Sequence, residues 1–229
     1  MRRGWLVIAV AAMLPLSAEA RADGLFLGGS EYSSESAYGY LGAIMPLPEN
    51  HLGSGFAVRV WGDYLKYRYT SGGTKIEASG WGAAVAAVYQ FSGSWGWSNF
   101  SAGGEFRDLE LSPDDPANDS RGSHLRLTVQ GDGGYNLRSD WRVRGTASYT
   151  PEIEGYFVQP AIEHKVAPRL WLGLDGTFQG DNSYEERAGG VIATFNADEQ
   201  RSVSLRLGGK NTDDGTNFYV GLSFVISTH

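Results

Sequence analysis

The chain has 229 residues, a formal net charge of −7 and no cysteine, with 32 glycines and an aromatic content of 13%. The missing cysteine excludes disulfides and thiolate chemistry, and an acidic chain with no basic patch has little with which to neutralise phosphates, which excludes a nucleic-acid partner. Nothing resembling a linker divides the chain, so one domain is expected, rich in the glycine that lets strands bend and in the aromatics that populate a membrane–water boundary.

Met1–Ala22 reads as an export signal rather than part of the fold. Arg2 and Arg3 form a basic start, Trp5–Leu16 is apolar, and Ala18-Glu19-Ala20 and Ala20-Arg21-Ala22 are small-x-small sites, which places cleavage after Ala20 or Ala22. No later stretch reaches the roughly 18–20 apolar residues that a membrane helix needs. An exported chain without a helical span is either soluble outside the cytoplasm or a barrel.

Residues 23–229 favour the barrel. Apolar side chains recur at every second position, and twelve strands are predicted: 24–33, 37–45, 55–69, 75–91, 97–111, 123–136, 140–150, 153–165, 169–179, 185–195, 200–210 and 216–226. The clearest sets Leu170, Leu172, Leu174, Gly176 and Phe178 against Arg169, Asp175, Thr177 and Gln179. A period of two puts the apolar set on one face of a sheet. Repeated behind an export signal, it predicts an all-β fold: a single antiparallel transmembrane β-barrel with an apolar outer face and a polar lumen. An even strand number returns both termini to one side, so connections alternate between tight periplasmic turns and longer surface loops. Leu137–Ser139, Val166–Pro168 and Asn196–Glu199 suit the turns, and Ser112–Gly122 suits a loop, while Pro46–Ser54 is long for a turn. Within 55–69, Phe56, Val58 and Val60 point outward, yet Lys66 and Arg68 share their parity. Either a bulge shifts the register there or that end projects above the bilayer.

Trp95, Trp97, Trp141 and Trp171 fall near connections on the periplasmic side, where an aromatic girdle is expected because the ring is apolar and its N–H stays hydrated. Inward parity collects Arg126, Arg142, Arg144, Arg169, Asp175 and Arg206. These side chains either pair with one another to fill the lumen or present a charged wall to ions or saccharide. Eight strands leave an interior filled by side chains and sixteen to eighteen an aqueous channel, so twelve leaves both open.

Catalytic and cofactor chemistry finds little support. The histidines His51, His124, His164 and His229 lack metal-ligand spacing, and adjacent Ser123 and His124 point to opposite faces of a strand. Glu105, Glu154 and Glu163 are a conceivable glycosidase pair, against the simpler reading of lumenal carboxylates facing arginines. The loop residues Asp114, Asp115, Asn118 and Asp119 lack the alternate spacing and closing glutamate of an EF-hand, so a solvated acidic loop is expected rather than a calcium site. No cofactor or metal is expected.

Gly28–Leu47 (GGSEYSSESAYGYLGAIMPL), Gly55–Tyr69 (GFAVRVWGDYLKYRY) and Gly103–Asn118 (GGEFRDLELSPDDPAN) together resemble the cellulose biosynthesis protein BcsS family of Gram-negative bacteria, over nearly the whole mature chain. The strongest element is Arg107-Asp108 followed by Leu111–Pro116. The resemblance implies an outer-membrane accessory of cellulose synthesis and secretion, with no catalytic residues. Its partners would be outer-membrane lipid, cellulose or another glucan, and other components of the secretion system. Tyr219, Gly221, Phe224 and Ile226 also resemble the signal read by the barrel assembly machinery, although the chain ends in Ser-Thr-His rather than an aromatic residue. The readings kept beside the accessory are a small-solute channel and a barrel-embedded hydrolase of lipid or glycan.

Overall fold

Alternation decides the architecture. On Leu170–Asp181, Leu172, Leu174 and Phe178 are exposed while Trp171, Asp175 and Thr177 are buried, and the same switch recurs strand after strand. In the computed structural model, which describes residues 23–182, 184–212 and 215–228, this alternation closes on itself. The expected export segment Met1–Ala22 and His229 lie outside the described residues.

The strands are β1 (Gly24–Ser33), β2 (Ser36–Pro46), β3 (Gly55–Ser71), β4 (Thr74–Gly93), β5 (Gly96–Ser112) and β6 (Gly122–Arg138), followed by β7 (Trp141–Thr150), β8 (Gly155–Ala167), β9 (Leu170–Asp181), β10 (Tyr184–Asn196), β11 (Arg201–Thr212) and β12 (Gly215–Thr228). Each pairs antiparallel with its neighbours in sequence, and β1 closes the ring against β12, from Gly24 opposite Thr228 to Ser33 opposite Tyr219. Both described ends therefore lie at one end of the barrel, here the near end. A closed barrel leaves no sheet edge, so every strand finds backbone partners without water, as an apolar surrounding requires.

The wall is uneven in height. β3 to β6 hold 17 to 20 residues each, while β7 holds 10 and β8 to β11 hold 12 or 13. At a rise of about 3.4 Å per residue and a tilt near 40°, ten residues span about 26 Å, close to the apolar band of an outer-membrane barrel, and twenty span about twice that. The excess lies at the far end. There β3 and β4 stay in continuous register to Ser71 opposite Thr74, with no bulge. Lys66 and Arg68 project outward and share Glu77, at 2.6 and 3.4 Å, so this part of the wall projects beyond the apolar band. Gly72 and Gly73, at φ 57° and 79°, make the tight turn that joins the two strands.

The step down from tall to short wall has its own fitting. β6 pairs with β7 only as far as Val129 opposite Tyr149, which leaves Leu127 beyond the end of β7. Pro151–Ile153 form a 3₁₀ turn where the sequence reading begins its eighth strand, because Pro151 fixes its own φ and the chain turns before pairing resumes at Gly155. Glu152 Oε1 then accepts the Leu127 amide at 3.0 Å, and this bond holds the Glu152 carboxyl below the usual glutamate range.

The interior has two characters. At the near end Ile44, Ala57 and Val88 form an apolar cluster with Leu25 and Leu27. Above and beside it the inward positions mix paired charges with aromatic rings and with apolar residues such as Ala78, Leu109 and Ile192.

Candidate functional site: the polar lumen

Inward positions on neighbouring strands are about 4.5–5.5 Å apart, so charges of opposite sign meet directly. Glu163 on β8 is 0% exposed and sits opposite Arg142 of β7. It accepts from Arg142 Nε at 3.0 Å, Arg144 Nε at 2.6 Å and the Thr194 hydroxyl at 2.6 Å. Arg144 continues to Thr194 on β10 and Ser204 on β11, which ties together four strands of this side. Higher up, Arg206 on β11 donates to Asp175 at 2.5 Å, to Glu31 on β1 at 3.1 Å and to Thr177 at 3.0 Å. Lys210 binds Glu31 at 2.7 Å and Glu186 at 3.2 Å, and Tyr184 donates to Glu186 at 2.6 Å.

The opposite wall repeats the scheme. Arg107 on β5 forks onto Asp63 of β3 at 2.9 and 3.1 Å and also binds Glu105. Nearer the termini, Gln90 donates to Asn99, Asn99 donates to Asp132, and Arg59 lies 3.9 Å from Asp132. Paired and hydrogen-bonded charges can sit away from bulk water where single ones cannot.

Some contacts cross the barrel. Tyr67 of β3 meets Tyr184 of β10 with ring centroids 5.7 Å apart, although five strand-to-strand steps separate them around the ring. At the far mouth the 113–121 segment reaches both sides. Tyr69 of β3 donates to Asp115 at 3.0 Å and accepts from Asn118 at 3.0 Å, and Ser120 lies 3.5 Å from Asp181 of β9. The Asp115 carboxyl is held below the usual aspartate range, first by a hydrogen bond from Ser71, then by those from Tyr69 and the Ala117 amide. Asp114 instead pairs with Arg121 at 2.9 Å, and Asp119 faces solvent. Asp115 and Asn118 thus share the Tyr69 hydroxyl and Asp114 is taken by Arg121, so these groups do not converge on one point. Among the described residues, no group of three or more His, Cys, Asp or Glu is placed to hold a metal ion.

Of the arginines singled out from sequence, Arg142 and Arg144 are brought together on one carboxylate, and Arg206 is joined to Asp175. Arg126 is apart from them. It is buried in the far half of β6 opposite Glu105, with its guanidinium 3.5 Å from the Asp119 carbonyl. Arg169 has inward parity but lies outside the lumen, exposed in the turn between β8 and β9, because β9 begins only at Leu170.

The tryptophans divide in the same way. Trp95 packs on the outward rings of Phe91 and Tyr135, and Trp141 packs at a tilt against His164 on the outer face. Trp171 departs from the girdle expected of it: it is 8% exposed and lies under the Arg142 guanidinium, 4.3 Å from the ring centroid. Trp97 departs likewise, sharing the inward side with Asn99 and covering Gly134 at the near mouth. Proximity to a strand end gives depth but not side, and the side follows from parity.

Sequence reasoning missed Asp63, Glu31, Lys210's partner Glu186 and the inward aromatics of β2 and β3. Arg107-Asp108, read as a family marker, held a signal for the first of these. Its two residues face opposite ways, Arg107 into the lumen and Asp108 outward to the Ser123 hydroxyl at 2.7 Å. Ser123 and His124 do not meet either, since His124 Nε2 bonds the Arg121 carbonyl at 2.7 Å.

Residues 25–228 match the family model described as cellulose biosynthesis protein BcsS, which spans the whole barrel. The chain belongs to the BcsS family. Among curated proteins, no sequence matches. Three solved structures are similar to this family member. An outer membrane channel from Pseudomonas putida F1 is 14% identical with a TM-score of 0.52, covering 92% of this chain and 97% of its own. The transport unit of the autotransporter AIDA-I from Escherichia coli is 9% identical with a TM-score of 0.52, covering 95% and 94%. The KdgM porin in complex with disordered oligogalacturonate is 14% identical with a TM-score of 0.49, covering 90% and 99%. At these identities the likeness is one of fold: a closed antiparallel barrel of the outer-membrane kind.

Proposed function

We propose that this protein is a non-enzymatic outer-membrane accessory of cellulose production, which assists synthesis, export or surface anchoring of the polymer. The family match over residues 25–228 carries this reading. The apolar outer wall, the polar interior and the fold shared with outer-membrane barrels support the location, with the near end periplasmic and Met1–Ala22 removed on export. The lumenal carboxylates that a hydrolase would need are engaged: Glu163 by two arginines and a threonine, and Glu105 by Arg107. The expected partners are lipid, glucan, the other parts of the secretion system and the assembly machinery that inserts the barrel.

A deletion strain scored for cellulose at the surface and in the periplasm tests the proposal. Loss or misplacement of surface cellulose is expected, and unchanged amount and location would overturn it. A small-solute channel is favoured instead by the resemblance to outer-membrane channels. The purified barrel in liposomes separates the two, since a channel passes solute without any cellulose phenotype.

A further inference from the structure

The inward side of β2 and β3 carries a run of aromatic rings rather than charges. Tyr40 and Trp61 stack with centroids 4.6 Å apart and planes 9° from parallel, and Tyr38 continues the run 5.7 Å from Tyr40. All three have lumen-facing parity. Trp61 alternates with Ala57, Arg59 and Asp63, and Tyr38 and Tyr40 alternate with Ile44. Glycine seats hold two of the rings close to the wall: a Cβ on Gly42 would lie 3.1 Å from Trp61 Cζ3, and one on Gly29 would lie 2.9 Å from Tyr40 Cε1. Tyr38 remains 36% exposed, and because it points inward, that exposure is to the interior of the barrel.

Charged groups border this platform on both sides. Asp63, which binds Arg107, is the register partner of Tyr40. Gly29, under Tyr40, is the inward position next to Glu31, which binds Arg206 and Lys210. The ring faces are thus flanked by planar guanidinium and carboxylate groups.

A hexopyranose whose substituents are all equatorial has axial C–H bonds on both faces and hydroxyls around its rim. Its faces suit a flat aromatic surface, and its rim suits donors and acceptors at the edge of that surface. The three cations that border the platform already have carboxylates: Arg107 has Asp63 and Glu105, Arg206 has Asp175 and Glu31, and Lys210 has Glu31 and Glu186. A uronate would bring a further negative charge against three bordering cations that are already matched.

We infer that the Tyr38–Tyr40–Trp61 ladder, with its bordering ion pairs, is a lumenal subsite for a neutral, equatorially substituted hexopyranose chain of the β-linked glucan type. The inference deepens the accessory reading and rests on it for the polymer's identity. The polymer sits with its sugar faces on the rings and its hydroxyls on the Asp63–Arg107 and Glu31–Arg206 pairs.

Calorimetric titration of the purified barrel in detergent micelles tests the subsite with cellohexaose, mannohexaose and a galacturonate hexamer as probes. Cellohexaose should bind most tightly, the axial hydroxyl of mannose weakening binding and the charge and axial C4 oxygen of galacturonate together weakening it as well. Trp61→Leu and Tyr38→Leu should each weaken cellohexaose binding about three- to tenfold, the range set by one aromatic contact. Trp141→Leu on the outer face should leave it unchanged. Tyr38 has no glycine seat, so its variant keeps the test valid if Trp61→Leu fails to give the folded, heat-modifiable species. No binding of cellohexaose at millimolar concentration, equal binding of the galacturonate hexamer, or unchanged affinity in Tyr38→Leu would overturn the subsite. The deletion phenotype is independent of that result, so a failed subsite and a failed accessory role are told apart.

Discussion

Glu163→Gln is the sharpest test of how the interior is held. The carboxylate is 0% exposed and satisfies Arg142, Arg144 and Thr194 together, while the two arginine side chains keep 21% and 32% of their exposure to the lumen. Replacing it with a neutral amide leaves two guanidiniums side by side with no anion in contact. Breaking a fully buried pair costs about 3–5 kcal/mol, and the residual access of the arginines to lumen water reduces this to about 2–4 kcal/mol. Adding Arg144→Gln to Glu163→Gln removes one of the stranded charges and should recover part of the loss. The assay is urea unfolding of the barrel in micelles, followed by heat-modifiable gel mobility and tryptophan fluorescence, with the four variants forming a double-mutant cycle. A change below about 0.5 kcal/mol for Glu163→Gln, the size of an ordinary surface substitution, would refute the claim that this cluster holds the barrel together.

Leu172→Arg, at an outward and exposed position of β9, should cost about 2–4 kcal/mol if it lies near the bilayer midplane; normal assembly and unchanged unfolding would mean that this face does not meet lipid. Acidification should release the 113–121 segment. The Asp115 carboxyl is lower in the folded protein than in the unfolded chain, so its contribution is complete above the unfolded value of about 3.9 and is lost as pH falls through the lower folded value. Protection of the 113–121 amides from hydrogen exchange, taken relative to the intrinsic exchange rate at each pH, should therefore fall at the acid limit and stay flat between pH 5 and 8, and protection lost already at pH 6 would contradict this. The protein should fractionate with the outer membrane and change gel mobility on heating; recovery as a soluble periplasmic species with fixed mobility would sink the barrel placement.

What could be read from the chain follows from the range of the interactions. The alternation in 169–179 is local, so strand and facing are both visible there. The boundaries of β3 and β4 were legible, but whether Lys66 and Arg68 marked a bulge or a projecting wall required the partner Glu77 and the register that delivers it. Arg142 and Arg144 stand two residues apart on one side, which marks them as lumenal. Their common partner Glu163 lies on the next strand and was legible only as one carboxylate among three. Trp171 shows the opposite failure. Its place in the alternation with Asp175 and Thr177 already put it inside, and position near a turn was the weaker signal. The contacts of the 113–121 segment with Tyr69 join residues more than forty positions apart, beyond the reach of any periodicity.

The seam between β1 and β12 has a consequence for how the barrel is made. The β3–β4 hairpin zips from a two-residue turn, whereas joining Gly24 to Thr228 brings together residues 204 positions apart. Loop-closure entropy makes that last pairing more costly than the hairpin by about 3–4 kcal/mol. Local hairpins are therefore cheaper to form than the closing seam, and one edge of β1 stays unpaired until β12 arrives to shut the ring. During that interval the open edge of β1 is the growing barrel's point of vulnerability to wrong pairing. It is also the natural handhold for whatever machinery keeps the sheet open until the ring can shut.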